Sequence, residues 1–244
     1  MKKVKFYTEV AYFLGLFLLA VGTALTVYGG FGVSMVVAPA FVLHKFASQF
    51  FPWFSFGVAE FVLQAFILLL MMLILLKAKV SYFLSFAAAI YYIAVLEGSK
   101  LLVGLLPENI LYLQIILYVV GALICCAAIA LLFNSYLPPE VYELFVKEIA
   151  AKLKKPIHKI KLIYDCGSLA LAIILCIMLA NPFKAGSFSG VIYTFMDYGI
   201  GIGTVVCAFV YGFIISLFQK LYLTLFEFKD GWHIKSFFIK GDNK

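Results

Sequence analysis

Long apolar stretches separated by short polar breaks dominate the pattern of the chain. Six of these stretches approach the roughly 20 residues that a helix needs to cross a bilayer. The predicted spans are Thr8–Gly29, Phe54–Leu76, Ser81–Val103, Ile110–Phe133, Leu162–Ala180 and Tyr198–Leu223. The pattern therefore predicts an all-α membrane protein whose 244 residues form a single membrane domain.

Two further segments are helical in pattern but too short to span a membrane. Residues 32–50 are apolar and interrupted by Pro39, which favours a re-entrant or interfacial half-helix. Residues 138–153 are amphipathic, and we expect them either to lie on cytoplasmic lipid headgroups or to move during function. The residues expected to lie away from the apolar face of this second segment are Glu140, Glu143, Lys147 and Lys152.

The two halves of the chain resemble each other. Residues 58–73 are similar to residues 163–179, and the segment around Gly22 is similar to that around Gly121. Each half contains one span, one half-helix and two more spans. Because three spans is an odd number, the second copy must be inverted, as in many secondary transporters. The predicted units are repeat 1 over 8–104, repeat 2 over 110–224 and a cytoplasmic tail over 225–244.

The lysines predict the orientation of these spans. If the N-terminus is cytoplasmic, every lysine except Lys45, Lys100 and Lys184 falls in a cytoplasmic segment. This asymmetry follows the positive-inside rule, and six spans return the C-terminus to the same side. We therefore attribute the net charge of +7 to cytoplasmic loops and expect no nucleic-acid partner.

Composition narrows the class further. Hydrophobic residues make up 65% of the chain and charged residues only 13%, which excludes an ordinary soluble domain. We expect a multi-pass protein of the bacterial inner membrane. The chain carries no P-loop, zinc signature or Ser/His/Asp set, so we expect no enzyme activity, no cofactor and no metal. The five cysteines lie in apolar stretches and are expected to act as small packing residues.

Two acidic residues occupy matching points of the predicted repeats. Glu60 lies about two turns into the second span, and Asp165 has the equivalent place in the fifth. An ionised carboxylate in hydrocarbon is costly, so such groups face a polar interior or stay protonated. Each residue alone could be an interfacial acid. As a matched pair they are candidates to bind a coupling proton, a cation or a basic group on a substrate, with Glu60 toward the outside and Asp165 toward the cytoplasm.

Alternate glycines form the sharpest local motif, Gly199-Ile200-Gly201-Ile202-Gly203-Thr204. A broken helix start here could present N–H groups to an anion or admit a substrate. Close helix packing by small residues is the other explanation. The substrate candidates from this motif are Gly201, Gly203 and Thr204.

The remaining polar candidates have weaker patterns. Glu97 is a further substrate or ion candidate, although Lys100 three residues on favours a helical ion pair. Asp197 precedes the sixth span and could cap it. His44, in the first half-helix, could line a cavity or face solvent. Ser34, just before that half-helix, is also a secondary candidate.

Five motifs together resemble one family of bacterial membrane proteins. They are GFGVSMVVAPAFVLHK (30–45), SFGVAEFVLQA (55–65), LPPEVYELFVKEIA (137–150), KIKLIYDCGSLALA (159–172) and GIGIGTVVCAFVYGF (199–213). The chain resembles the YczE/YyaS/YitT-like family, many members of which carry Pro-Trp-Asp after a Gly-x-Ser; here Met-Val-Val follows Ser34. The resemblance implies a six-helix bacterial membrane protein and gives no substrate.

Two functional hypotheses follow from these patterns. The first is a secondary transporter or exporter of a small molecule or ion, with alternating access between the inverted repeats. The second is a non-transporting regulator or accessory subunit that docks a partner through the cytoplasmic segment 138–161. A homodimer or another membrane protein partner is compatible with both.

Overall fold

The computed structural model describes residues 3–76, 79–107 and 110–231, and nearly all of them are helical. Six of the helices in these ranges are long and apolar enough to cross a membrane. The helices are α1 (Thr8–Gly29), α2 (Ala38–Ala47), α3 (Phe56–Leu75), α4 (Val80–Val103), α5 (Leu111–Phe133), α6 (Val141–Leu153), α7 (Ile157–Ala180), α8 (Phe188–Asp197) and α9 (Ile202–Leu225). The all-α multi-pass architecture expected from the apolar pattern is thus confirmed.

The predicted spans and half-helices correspond closely to these helices, with two differences. The fifth span begins earlier, at Ile157, because its first turns are polar and were assigned to a loop. The sixth begins at Ile202 rather than Tyr198, because the preceding residues belong to a separate short helix, α8, and a glycine turn. That amphipathic helix was not predicted.

A small parallel sheet, which the sequence pattern did not predict, joins the two ends of the described chain. Strand β1 (Val4–Tyr7) precedes α1 and pairs with β2 (Phe226–Lys229), which follows α9. The Gly231 amide also donates to the Glu9 carboxylate at 2.9 Å. The segments that flank the first and last spans therefore lie at the same end of the bundle, which we call the terminal end.

Helices α1 and α5 form the most extensive contact of the bundle and cross antiparallel. A methyl group on Gly22 would lie 2.8 Å from the Gly121 carbonyl oxygen, and one on Gly121 would lie 2.7 Å from the Gly22 carbonyl oxygen. Gly15 and Gly29, one heptad before and after Gly22, also face α5 closely. Small residues let helix backbones approach in a membrane, where packing drives association.

The other helix contacts occur in corresponding pairs. Helix α1 packs against α4 as α5 packs against α9, and α2 packs against α3 as α6 packs against α7. In addition α2 packs against α7, and α6 packs against α3. One correspondence is incomplete, because α7 packs closely against α9 whereas the described parts of α3 and α4 meet mainly through long side chains such as Phe61 and Phe86.

Helices α2 and α6 lie at opposite ends of this bundle. The His44 imidazole of α2 bonds the carbonyl of Phe54, just before α3 begins. The Glu148 carboxylate of α6 accepts a bond from the Tyr82 hydroxyl at the start of α4. Since α3 runs from one end to the other and α4 returns, α6 lies at the terminal end and α2 at the far end.

The amphipathic prediction for α6 was wrong about its acidic side chains. Glu140 and Glu143 are each only 3% exposed and point into the bundle, whereas Leu153 of the expected apolar face is exposed. The helix is therefore packed into the protein between α3 and α7 rather than lying on the surface with its carboxylates in water. Large apolar side chains on the outer faces of the spans, such as Phe66 and Phe213, are exposed, as a lipid-facing surface requires.

Candidate functional site

Two small cavities lie one beyond the other inside the bundle. The first, with a volume of about 60 Å³, is lined by Glu60 and Lys100 together with residues of α1, α2, α3 and α4; we call it the Glu60 cavity. The second, of about 30 Å³, is lined by Glu140, Glu143 and Lys161; we call it the Lys161 cavity. Each has room for one water molecule or a few, and both are far below the size of a drug-sized ligand pocket.

A shared wall separates the two cavities. Thr23, Ser34, Val37 and Tyr92 line both of them. Within this wall the Tyr92 hydroxyl donates to Thr23 Oγ1 at 3.1 Å, and Thr23 in turn donates to the Leu19 carbonyl at 2.8 Å. The partition is thus thin and made of side chains from three elements, α1, α4 and the segment before α2.

Glu60 reaches the first cavity with an unsatisfied carboxylate. Its side chain is buried at 2% exposure, and Oε1 has no hydrogen-bond partner among the described residues. Gln64, one helical turn on, is fully buried with both amide atoms equally unpartnered. Because buried polar groups are normally bonded, these atoms indicate a place for a polar ligand, a proton or water.

Lys100 lines the Glu60 cavity and is partly exposed at the surface. It pairs with Glu97 at 2.8 Å, in the helical ion pair that their spacing predicted. The Glu97 side chain is 63% exposed, so this acid lies at the surface rather than in the cavity. Such an exposed pair contributes little to stability.

A fully buried ion cluster borders the second cavity. Lys161 Nζ lies 2.9 Å from Asp165 Oδ1 and 3.6 Å from Glu143 Oε1, and all three side chains are almost completely excluded from solvent. Asp165, the second acidic candidate, is therefore fully buried and paired with Lys161. The expected interior position of Asp165 is observed, but its partner is Lys161, which the orientation argument had placed in a cytoplasmic loop.

Glu140 adds a further acid to the same cavity. It precedes α6 at the N-cap position, yet its side chain makes no capping bond, and Oε1 has no partner in the described chain. Burial, then the charge of Glu143 and that of Glu60, raises the pKa of Glu140 well above that of an ordinary glutamate. Glu60 thus acts electrostatically on the Lys161 cavity, although the shared wall lies between.

The sequence patterns did not indicate a site role for Lys161, Glu140, Glu143 or Tyr92. Lys161 and Asp165 have the i,i+4 spacing of a helical ion pair, and Glu140 and Glu143 the i,i+3 spacing of neighbours on one helix face. Those spacings could have indicated two polar faces. They could not have shown that both faces meet inside the bundle.

The glycine motif at the start of α9 forms a backbone junction with the segment after α1. The amide of Gly203 donates to the Phe31 carbonyl at 2.9 Å, and Val33 donates to the Gly199 carbonyl at 2.9 Å. A side chain on Gly201 would collide with the Phe31 backbone. The helix begins at Ile202, within the motif rather than at Tyr198, and the Gly203 N–H is bonded within the protein and does not face an anion.

Thr204 locks this junction and gives a first prediction. Its hydroxyl donates to the Val33 carbonyl at 2.7 Å and is fully buried. We expect Thr204→Val to lower the free energy of unfolding by about 1–3 kcal/mol, because a buried acceptor loses its donor. The thermal unfolding midpoint in detergent would measure this. Thr204→Ser is the matched control and should stay close to wild type; equal loss in both variants would contradict the role of the hydroxyl.

Two of the three remaining candidates, Asp197 and His44, lie at the far end of the bundle. Asp197 does not cap the sixth span: it ends α8 and pairs with Lys45 of α2 at 2.8 Å, while Gly201 holds the N-cap position of α9. The bond between the His44 ring and Phe54 ties α2 to the start of α3. Neither residue lines the two interior cavities. Ser34 does, and it lines both.

No group of three or more His, Cys, Asp or Glu side chains within residues 3–76, 79–107 and 110–231 is arranged to hold a metal ion. The profile of a family of unknown function (DUF6198) matches residues 6–220. No curated protein and no solved structure matches the chain.

Proposed function

We propose that this chain, which belongs to the DUF6198 family of unknown function, is a secondary transporter of a small molecule or ion. The observation that carries the proposal is the pair of adjoining cavities, each with ionisable side chains in its lining, that share the Thr23–Tyr92 wall inside a six-helix membrane bundle. Two half-pathways and a thin barrier are what alternating access requires. Buried ionisable groups at membrane depth mark substrate or proton pathways.

The paired helix contacts support an inverted repeat. Helices α1 to α4 correspond to α5, α6, α7 and α9, and the reciprocal approach of Gly22 and Gly121 lies where the two copies meet. In such a plan the two halves rock about their contact, here the α1–α5 crossing. We further propose that the protein resides in the bacterial inner membrane with both termini cytoplasmic, as a relative of the YczE/YyaS/YitT-like proteins.

Glu60 and Asp165 have unequal parts in this proposal. Glu60 is open to its cavity and is the group that exchanges a proton or contacts the substrate. Asp165 is paired with Lys161 and partly compensates the positive charge that Lys161 brings to the second cavity. The Gly201–Thr204 junction helps to fix the shared wall, because the Thr204 hydroxyl bonds Val33, the residue before Ser34 of that wall.

Flux measurements on purified protein in liposomes test the transport proposal. A trapped pH-sensitive dye would report proton movement while a panel of monovalent cations and small amines is added outside. We expect a compound-dependent signal in wild type that is slowed at least about tenfold by Glu60→Gln, since the exchanging carboxylate is lost. Glu227→Gln, at an exposed acid of β2, is the control. Equal flux in wild type and Glu60→Gln would remove Glu60 from the mechanism.

A non-transporting regulator or accessory subunit is the second candidate. It is favoured by the end of α6 and the turn into α7, where every residue from 151 to 156 is exposed and three are lysines. This basic turn would be the docking surface for a membrane protein partner or a second copy. A stoichiometric partner that co-purifies with wild type, and is lost when Lys152, Lys154 and Lys155 are changed to Gln, would favour this role.

A further inference from the structure

We infer that Glu140 is the proton-binding site of the Lys161 cavity, exchanging one proton with water in that cavity. The inference rests on the proposed transport function for its role as a coupling site. The binding of the proton itself stands on the geometry of the cluster.

The position of the Glu140 carboxyl group supports a bound proton. An N-cap side chain ordinarily turns back to bond the first amides of its helix. Glu140 makes no such bond; it lines the Lys161 cavity with Oε1 unpartnered and only 3% of the residue exposed. Instead of turning back to its own helix, the side chain therefore faces a cavity with room for about one water molecule.

The balance of charge among the buried groups of the cluster also favours a proton on Glu140. Lys161 is the one buried cation among the described residues of the cluster, and Asp165 and Glu143 already surround it at 2.9 and 3.6 Å. These three groups together carry a charge of about −1 when ionised, which the positive N-terminal end of α6 offsets in part. An ionised Glu140 would add a second uncompensated buried charge, at a cost of several kcal/mol. A proton on Glu140 removes that cost.

The groups that face Glu140 come from all sides. Those in the cavity lining are Tyr142 and Glu143 on α6, Lys161 on α7, Tyr92 on α4, Cys125 on α5 and Tyr211 on α9. Asp165 on α7 is paired with Lys161, and Glu60 on α3 and Tyr12 on α1 interact with Glu140 electrostatically. Of these only Lys161 is cationic. Lys147, also on α6, directs its ammonium to the Ser135 carbonyl at 2.6 Å, and burial lowers its pKa to about 8. Among the residues that the structure describes, no second cation thus competes with a proton for Glu140.

Infrared difference spectroscopy of the purified protein in detergent tests this site without any substrate. Wild type at neutral pH should show a carboxylic-acid carbonyl band that disappears at alkaline pH. The part of this band that belongs to Glu140 should be lost in Glu140→Gln, whose neutral side chain has the same shape as the protonated acid. Glu227→Gln should leave the band unchanged.

Two results would overturn the inference. One is a band of wild-type size in Glu140→Gln. The other is a wild-type band that appears only when Na⁺ and K⁺ are removed, which would assign the site to a metal cation. The infrared band reports proton binding, and the flux assay reports transport. If Glu140→Gln loses the band but wild type shows no flux for any compound, the proton site is supported and the transport proposal is contradicted.

Discussion

Lys161→Met is expected to lower the free energy of unfolding by about 3–5 kcal/mol, the range for breaking a buried ion pair from one side. The substitution removes the charged ammonium group and leaves an unbranched side chain that is one heavy atom shorter. Asp165 and Glu143 would then lie next to each other without a cation, and neither is exposed to water. Thermal unfolding in detergent, followed by the fluorescence of a dye that reacts with newly exposed cysteines, would report the loss.

Lys159→Met is the matched control for this change. It lies two residues earlier on the same helix, and its side chain is exposed. A variant that combines Lys161→Met with Asp165→Asn and Glu143→Gln removes the stranded charges and should recover much of the lost stability. If Lys161→Met unfolds at the wild-type temperature, the cluster is not held by charge compensation.

The apolar pattern was sufficient to predict the spans because the bilayer imposes one strong condition. A stretch of about 20 apolar residues with all its backbone bonds made internally has few alternatives to a helix. The two half-helices were also found within the predicted segments, since Pro39 interrupts an otherwise helical stretch and Pro138 and Pro139 indicate a helix start, which in the structure follows them at Val141. Short elements such as α8 and the β1–β2 pair lack this constraint and were missed.

The interior cluster could not be predicted because it joins residues from distant segments. Lys161 is close in sequence to other lysines, and the positive-inside rule treats all of them alike. Only the packing of α6 between α3 and α7 turns Glu140 and Glu143 inward, and that packing depends on helix contacts with no local signature. Glu60 lies in the interior, as expected for an acid within a span, because such a residue is visible in the local pattern. Ser34, a secondary candidate, lines both cavities, and the roles of both residues stay predictions.

The structural partner of the glycine motif also could not be predicted from the sequence. Alternate glycines indicated a close approach of backbone to something, and the structure shows that the partner is the segment from Phe31 to Val33. The sequence offered two interpretations, a ligand site or close packing against another helix, and did not predict a loop segment as the partner. Gly32, which has a φ of 108°, supplies the other half of this contact.

Gly22→Ala is expected to have the second large effect, because it inserts a methyl group at the α1–α5 crossing. The new carbon would lie 2.7 Å from Cys125 Sγ and 2.8 Å from the Gly121 carbonyl oxygen. Since a carbonyl oxygen in a helix cannot rotate away, the two helices must separate, at a cost of about 1–3 kcal/mol or more. Gly167→Ala on α7 is the control, because a methyl group there meets nothing within 4 Å.

The reciprocal contact makes the effect of a second substitution predictable. Gly121→Ala alone should cost about as much, since its methyl group would lie 2.7 Å from the Gly22 carbonyl oxygen. Once one methyl group has separated the helices, the other has more room, so the double variant should lose less stability than the two single losses added together. Unfolding midpoints of the four proteins complete the cycle. Strict additivity would mean that the two glycines do not share one crossing, and the proposed pivot between the repeats would lose its structural basis.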